Sequence, residues 1–436
     1  MQDRRNGLRG RLHISLHLDF YCCACQLICH NNTISSPSWS PSEPILMCMA
    51  MDRANSRSMS GVVLNPISLR FYHNDPASIR QNIANLHHVA LNTDVDNHLD
   101  LAIAPEHIAA FQALGLGGDV LHKNLGSDLK SEGQLGEYQS AQGLPDLSWF
   151  EEYHSYDGHL QYLKDLHSAF PNQSEIIVSG ELYEGRPIQG IHIWGAAGKG
   201  ANPAVLWHGT VQAREWITPK TTEYLTFQLI SGYLDGTTEV VDIVDSYDLY
   251  VFPVVNSDGK GFSYHSQRDR LWRKSRQPRD GASCIGTDIN RNWPYKWQVS
   301  GGASSDPCDE TYRGEESGDT PDLQGIVSLV DELARRRPGH PAYILLPFGY
   351  DCDAVTDTQE EQLEFAASAA EIIEAQGGTA YTHGASCGHL YPTTGSSVDY
   401  LAAVAGAQLA WTVELRPDSS LVGGFNNHAK YGKYGK

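Results

Sequence analysis

Ala204-Val205-Leu206-Trp207-His208-Gly209-Thr210-Val211-Gln212-Ala213-Arg214-Glu215-Trp216-Ile217-Thr218 joins an apolar run to a helical pattern across a polar loop. Residues 204–207 read as a short buried strand, and residues 216–233 carry an apolar helical pattern. The alternation spreads outward in both directions. Residues 154–170 have helical period and stop before Pro171, and residues 191–194 and 249–255 read as further buried strands. Residues 322–336 read as a helix opened by Thr320 as N-cap with Pro321 in the first turn. Residues 360–376 form another, closed by Gly377-Gly378. Strands alternating with helices in this way predict an α/β layered domain around a mostly buried sheet.

Within the opening stretch, Gln212 and Glu215 form a Gln-x-x-Glu pair, which alone reads as a solvated helix face. Four more blocks follow it in order: Leu271-Trp272-Arg273-Lys274-Ser275-Arg276, Gly286-Thr287-Asp288-Ile289-Asn290-Arg291-Asn292-Trp293, Leu390-Tyr391-Pro392-Thr393-Thr394-Gly395-Ser396-Ser397-Val398-Asp399-Tyr400, and Trp411-Thr412-Val413-Glu414-Leu415-Arg416. Together these blocks, spread over residues 150–416, resemble the M14 metallocarboxypeptidases of the carboxypeptidase A type.

The resemblance implies a mixed eight-stranded sheet sandwiched by helices, preceded by a small α+β propeptide domain. It also implies one zinc ion. In the family's metal motif, a His-x-x-Glu pair, Glu215 matches the carboxylate ligand and Gln212 occupies the first His position. Catalytic zinc sites of this kind use two imidazoles and one carboxylate and keep a fourth position for water. His340 lies near the place of the third ligand, with a shorter spacing to Pro347 than the family shows; a solvent-facing loop His is the other reading. Asp288 matches the carboxylate that orients the first His.

By the same resemblance Arg273 polarises the scissile carbonyl, and Asn290 and Arg291 clamp the substrate's terminal carboxylate. Tyr391 closes over the substrate, Arg214 contributes to substrate binding, and Glu414 is the general base. The residue types suit the chemistry. A guanidinium fork binds a carboxylate bidentately, a cation at the carbonyl meets developing negative charge, and a carboxylate relays a proton from water to the leaving amine. Val398 aligns with the base of the side-chain pocket, where an apolar residue favours apolar or aromatic C-terminal side chains. Val398 equally reads as part of the apolar face of a short helix running through Leu401 and Val404.

Outside the blocks, residues 1–65 start with Arg4-Arg5 and a Cys-rich apolar run, a weak hint of a signal region. Residues 66–135 resemble the propeptide domain, with a strand, a Pro at a helix start and an apolar helical stripe over residues 99–111, and a further strand over 120–125. Residues 136–146 read as a linker, and the polar stretch 130–146 as the place where an activating protease cuts. The carboxypeptidase-like domain then spans 147–420, and the polar, Gly-rich residues 421–436 read as a disordered tail.

Of the nine cysteines, Cys284, Cys308, Cys352 and Cys387 lie in this domain, and the resemblance pairs Cys284 with Cys308 and Cys352 with Cys387. Such pairs belong to an oxidising compartment and so to a secreted, extracellular protein. A net charge of −20 argues against nucleic acid as partner, and no segment reads as a membrane span. The expected partners are peptide or protein C-termini. Two readings therefore stand beside each other: an active zinc carboxypeptidase made as a zymogen, and a pseudopeptidase that binds C-termini without turnover. A wrongly spliced gene model of an active enzyme is a further account of the departures.

Overall fold

The computed structural model describes residues 67–72, 79, 82–83, 85–86, 88–90, 98–125, 135–257, 270–299, 301–336, 346–375, 381–389, 391–413 and 415. Near the N-terminus, β1 (Ile67–Tyr72), β2 (His88–Ala90), β3 (His98–Ile103) and β4 (Asp119–His122) form an antiparallel sheet of order β2-β3-β1-β4. Pro105 opens a 3-10 turn that leads into α1 (Ile108–Ala113), where a ring with no N–H to contribute is tolerated. Phe111 of α1 meets Phe71 of β1 edge-on, with ring centroids 5.6 Å apart, over a core of Leu69, Leu99, Leu101 and Ile103.

The larger unit is built on β5 (Ser174–Glu181), β6 (Pro187–Ile193), β7 (Ala204–His208) and β8 (Asp248–Phe252), in the order β5-β6-β8-β7. β5 pairs with β6 and β6 with β8 antiparallel, whereas β7 runs parallel to β8, so the sheet is mixed. Parallel pairing requires a long crossover, and α3 (Ile217–Leu234) with α4 (Thr238–Ser246) supplies it. Four strands of this sheet lie among the described residues.

Both faces of the sheet are covered. On β8, Leu249 and Val251 point to one side and Tyr250 and Phe252 to the other, as the two-residue strand period dictates. The first side packs on α2 (Tyr156–Ala169), α3 and α4 through Leu163, Leu166, Ile230 and Val244. The second packs on α5 (Pro321–Arg336) through Leu323, Ile326 and Val330, and on α8 (Ser397–Ala403) through Val398 and Leu401. Between these lie α6 (Gln359–Ala375) and the short α7 (Ser386–His389). The backbones of β5 and α5 nearly touch at Gly180 and Gly325: a Cβ on Gly180 would lie 2.7 Å from the Gly325 Cα. No helix among the described residues is long and apolar enough to cross a membrane.

The helices read from periodicity are found at α2, α3, α5 and α6, and Thr320 caps α5 through a hydrogen bond from the Leu323 N–H to its Oγ1 at 3.3 Å. Several elements escaped that reading, β5 and α4 of the larger unit among them. β5 alternates weakly and is interrupted by a register shift between Val178 and Gly180, and α4 is only nine residues long.

Candidate active site

The loop that leaves β7 carries Gln212, Arg214 and Glu215. Gly209 continues the ladder by donating to Phe252 O at 2.9 Å, and Thr210 then turns at φ 54°, a left-handed conformation rare for a β-branched residue. Three bonds hold it there: its N–H donates to Thr218 Oγ1 at 2.6 Å, and its hydroxyl lies 2.9 Å from Thr218 Oγ1 and 3.0 Å from Pro253 O. Backbone held this way at a loop tip is characteristic of functional sites. The turn delivers Gln212, 1% exposed, and Glu215, whose N–H donates to Gln212 O at 3.1 Å.

Arg273 reaches this loop from a neighbouring segment. Its carbonyl accepts from Ala213 N–H at 3.1 Å, and Asn256, fully buried just beyond β8, bridges the two segments by donating to Val211 O at 3.1 Å and Arg273 O at 3.3 Å. The Arg273 guanidinium donates through Nε and Nη2 to Asp288 Oδ2, at 3.2 and 2.6 Å, with both side chains 1% exposed. Burial works against this charge, but Asp288 outweighs it and holds Arg273 above the ordinary guanidinium value. Burial pushes the Glu215 carboxyl up to about 8, against the pull of Arg273 and Arg214. Arg214, itself buried, lies 3.4 Å from Glu310 Oε2.

Asp288 has a second task. Its Oδ1 accepts the Asn290 N–H at 3.0 Å and so caps the 3-10 turn Ile289–Arg291. Within that turn Arg291 donates Nε to Gly302 O at 2.6 Å and Nη1 to Asn290 O at 2.7 Å, which fixes the plane of its fork. The loop that carries Tyr391 is sewn to the same turn: Trp293 N–H donates to Gly395 O at 3.0 Å, and Ser397 N–H donates to Asn290 Oδ1 at 3.0 Å. Gly302, at φ 89°, is backed by the Pro392 carbonyl, so a side chain there would push the Tyr391 loop away. Tyr391 is half-buried, and Val398, 5% exposed, faces the core beside Trp293 and Leu401.

The structure thus brings Gln212, Glu215, Arg214, Arg273 and Asp288 together, and joins Asn290 and Arg291 to the loop and helix bearing Tyr391 and Val398. His340 and Glu414 lie outside the described residues. Both cysteine pairs are bonded, Cys284 with Cys308 and Cys352 with Cys387. Three supporting residues were not read from the sequence: Asn256, Glu310 and Asp399. Asp399 accepts the N–H groups of Gly349 and Tyr350 at 2.7 and 3.1 Å, while burial lifts its carboxyl to about 6. A polar residue directly after a buried strand was the available signal for Asn256; for the other two nothing local marks them out.

A mixed sheet between helix layers, with its site at the end of a parallel strand, is the architecture of metallocarboxypeptidases. It superposes on the crystal structure of thrombin activatable fibrinolysis inhibitor with a TM-score of 0.72 at 23% identity, covering 85% of this chain and 94% of that one. The carboxypeptidase A from Helicoverpa armigera gives 0.70 at 22% identity, with 86% and 95% covered. The chain belongs to the peptidase M14 family of zinc carboxypeptidases, whose sequence model matches residues 159–432. Metallocarboxypeptidase A of Trichophyton rubrum is 38% identical over 327 residues, 73% of this chain and 76% of the relative. A metallocarboxypeptidase A-like protein of Trichophyton verrucosum is 37% identical over 342 residues, 75% and 79% of the two chains. By family, this is a metallocarboxypeptidase.

The family implies zinc. Of the expected donors, Gln212 and Glu215 are described, and no group of three or more His, Cys, Asp or Glu side chains able to hold a metal occurs among the described residues. A neutral amide oxygen is a poor partner for zinc where an imidazole is usual, and one carboxylate does not complete a set of three. The described donors therefore do not fit the ion.

Proposed function

We propose that this chain acts at the C-termini of peptides and proteins, hydrolysing the terminal peptide bond with a preference for apolar or aromatic side chains, and that it is secreted as a zymogen. The observation that carries this reading is the corner in which Asp288 caps the Asn290–Arg291 turn and Asn290 holds the N-terminus of α8. There the Arg291 fork, steadied by two carbonyls, takes the terminal carboxylate, and Asn290 orients it. The apolar Val398 sets the preference for the terminal side chain. Arg273 lies against the scissile carbonyl, Tyr391 covers the bound residue, and Glu414 takes the proton from the attacking water. Two disulfides suit an oxidising compartment.

A second reading is binding without turnover. It is favoured by Gln212 at the first ligand position and by the carboxylate of Asp288 being engaged with Arg273. Elemental analysis of the purified 436-residue chain, with cleavage of a peptide ending in Phe assayed beside one ending in Lys, separates the two. About one zinc per chain with chelator-sensitive release of Phe supports hydrolysis. Binding of the Phe peptide with no zinc and no release supports the second reading, and loss of binding as well sinks both.

A further inference from the structure

Residues 135–141 do not behave as a spacer. Gly136 forms a parallel bridge with His154 and donates its N–H to Tyr153 O at 2.7 Å. Leu135 packs against the buried cluster of Tyr153, Tyr156, Trp216 and Val254, which includes the residue that directly follows Glu215. Tyr138 sets its ring edge-on to Trp149, centroids 4.8 Å apart, and to Tyr162, 5.8 Å apart.

The anchor is Asp165 on α2, a carboxylate 3% exposed. Three of its donors come from this segment: Tyr138 Oη at 2.7 Å, Ser140 Oγ at 2.9 Å and the Ala141 N–H at 2.7 Å. Gln161 Nε2, one turn away on the same helix, adds a fourth at 2.8 Å. Residues 138–141 thus supply three of these four hydrogen bonds, all charge-assisted, and their departure would exchange these for bonds to water.

Trp149 carries the coupling inward. Its Nε1 donates to Glu223 Oε2 at 2.8 Å, and its carbonyl accepts from Lys220 Nζ at 2.7 Å, both residues of α3. The Lys220 ammonium also stands 3.4 Å over the Trp149 ring centroid and 2.7 Å from His154 Nδ1. The segment is thus bonded to α2 and reaches α3, the helix whose first turn follows Glu215, through Trp149.

We infer that residues 135–141 form an N-terminal strap of the catalytic domain, latched by Asp165, and that the latch closes this segment to endoproteases. On the reading of the chain as a zymogen, which this extends, the domain boundary moves from Leu147 to Leu135 and residues 135–141 leave the stretch open to activation. The inference is independent of metal and of turnover.

Limited digestion of the full chain with subtilisin, a protease of broad specificity, tests it through Edman sequencing of the resistant core. The core should begin at or before Leu135, with no cut between residues 135 and 141. A core that begins at residue 142 or later and keeps the thermal midpoint of the intact chain overturns the inference. Asp165→Asn and Tyr138→Phe keep the packing and weaken the latch. Each should raise the rate of cutting within the strap at least about tenfold, as expected for the loss of a charge-assisted hydrogen bond. Unchanged strap cutting in both variants also overturns it, because the protection would then not come from Asp165.

Discussion

At the residue scale, the site turns on what Asp288 holds. The sequence pattern matches it to a carboxylate that orients an imidazole, but position 212 is Gln and the structure gives Oδ2 to Arg273 instead. A buried ion pair is weak evidence for stability, whereas removing one partner leaves the other charge uncompensated and typically costs about 3–5 kcal/mol. Asp288→Asn should therefore lower unfolding free energy by about that amount in urea titration. A loss under about 1 kcal/mol, the scale of an exposed pair, would mean that Arg273 has other support. Gln212→His supplies the missing imidazole in reach of Glu215. Since even indirect supports change metal affinity by about 10–100-fold, zinc affinity should rise at least tenfold in competition with a chelating dye. An unchanged affinity would show that position 212 does not face the ion.

At the element scale, long periodic helices were legible and their supports were not. α3 and α5 announce themselves by apolar spacing and a Thr-Pro start, because burial of one face repeats with the helical turn. β5 and α4 were missed because a strand with a register shift and a nine-residue helix carry too few repeats to stand out. Within the site, Arg273, Asn290 and Arg291 were legible from their blocks, whereas Glu310, Asp399 and Asn256 depend on partners distant in sequence. The close approach of α5 to β5 was equally invisible. Gly325→Ala would place a Cβ 3.0 Å from Gly180 Cα and 3.1 Å from Ser179 O, backbone that cannot turn aside. Helix propensity favours Ala, by about 1 kcal/mol, yet overpacking costs about 1–3 kcal/mol. A net drop in the denaturation midpoint is expected, and a rise would show that α5 can slide. The strap adds a pH signature. Burial alone would raise the Asp165 carboxyl, but the donors from Ala141, Tyr138, Gln161 and Ser140 together hold it below its ordinary value. A carboxyl depressed in the folded state stabilises it above the unfolded value near 3.9, and that stabilisation fades as pH falls through the folded value. Amide exchange at Ala141, corrected for intrinsic rates, should show protection from neutral pH down to about pH 4 and lose it below. Asp165→Asn should remove this dependence, and the same loss of protection on acidification in that variant would contradict the latch.

At the scale of the whole molecule, the fold was legible because apolar strands and helices alternate along the chain and its ordered polar blocks together resemble one family. The strap inferred at residues 135–141 was not, since Tyr138, Ser140 and Ala141 bond to a carboxylate some two dozen positions away. The disulfides belong to this scale too. Cys284–Cys308 closes a loop of sequence separation 24 that contains Asp288, Asn290 and Arg291, and Cys352–Cys387 closes one of 35 just before Tyr391. The first crosslink therefore encloses the recognition corner within its loop, and the second closes just before the segment that bears Tyr391. Loop-closure entropy assigns each about 3–4 kcal/mol, a large part of the stability of a typical domain. Paired Cys→Ser replacement at either site should lower the thermal midpoint markedly. Losing Cys284–Cys308 should in addition weaken calorimetric binding of a Phe-terminated peptide, because the turn that aims Arg291 lies inside its loop. Losing Cys352–Cys387 should spare carboxylate recognition and affect the Tyr391 loop, seen as a faster off-rate for the same peptide. Equal stability of oxidised and reduced chains would remove the crosslinks from the account of folding and leave the recognition corner standing on Asp288 and Asn290 alone.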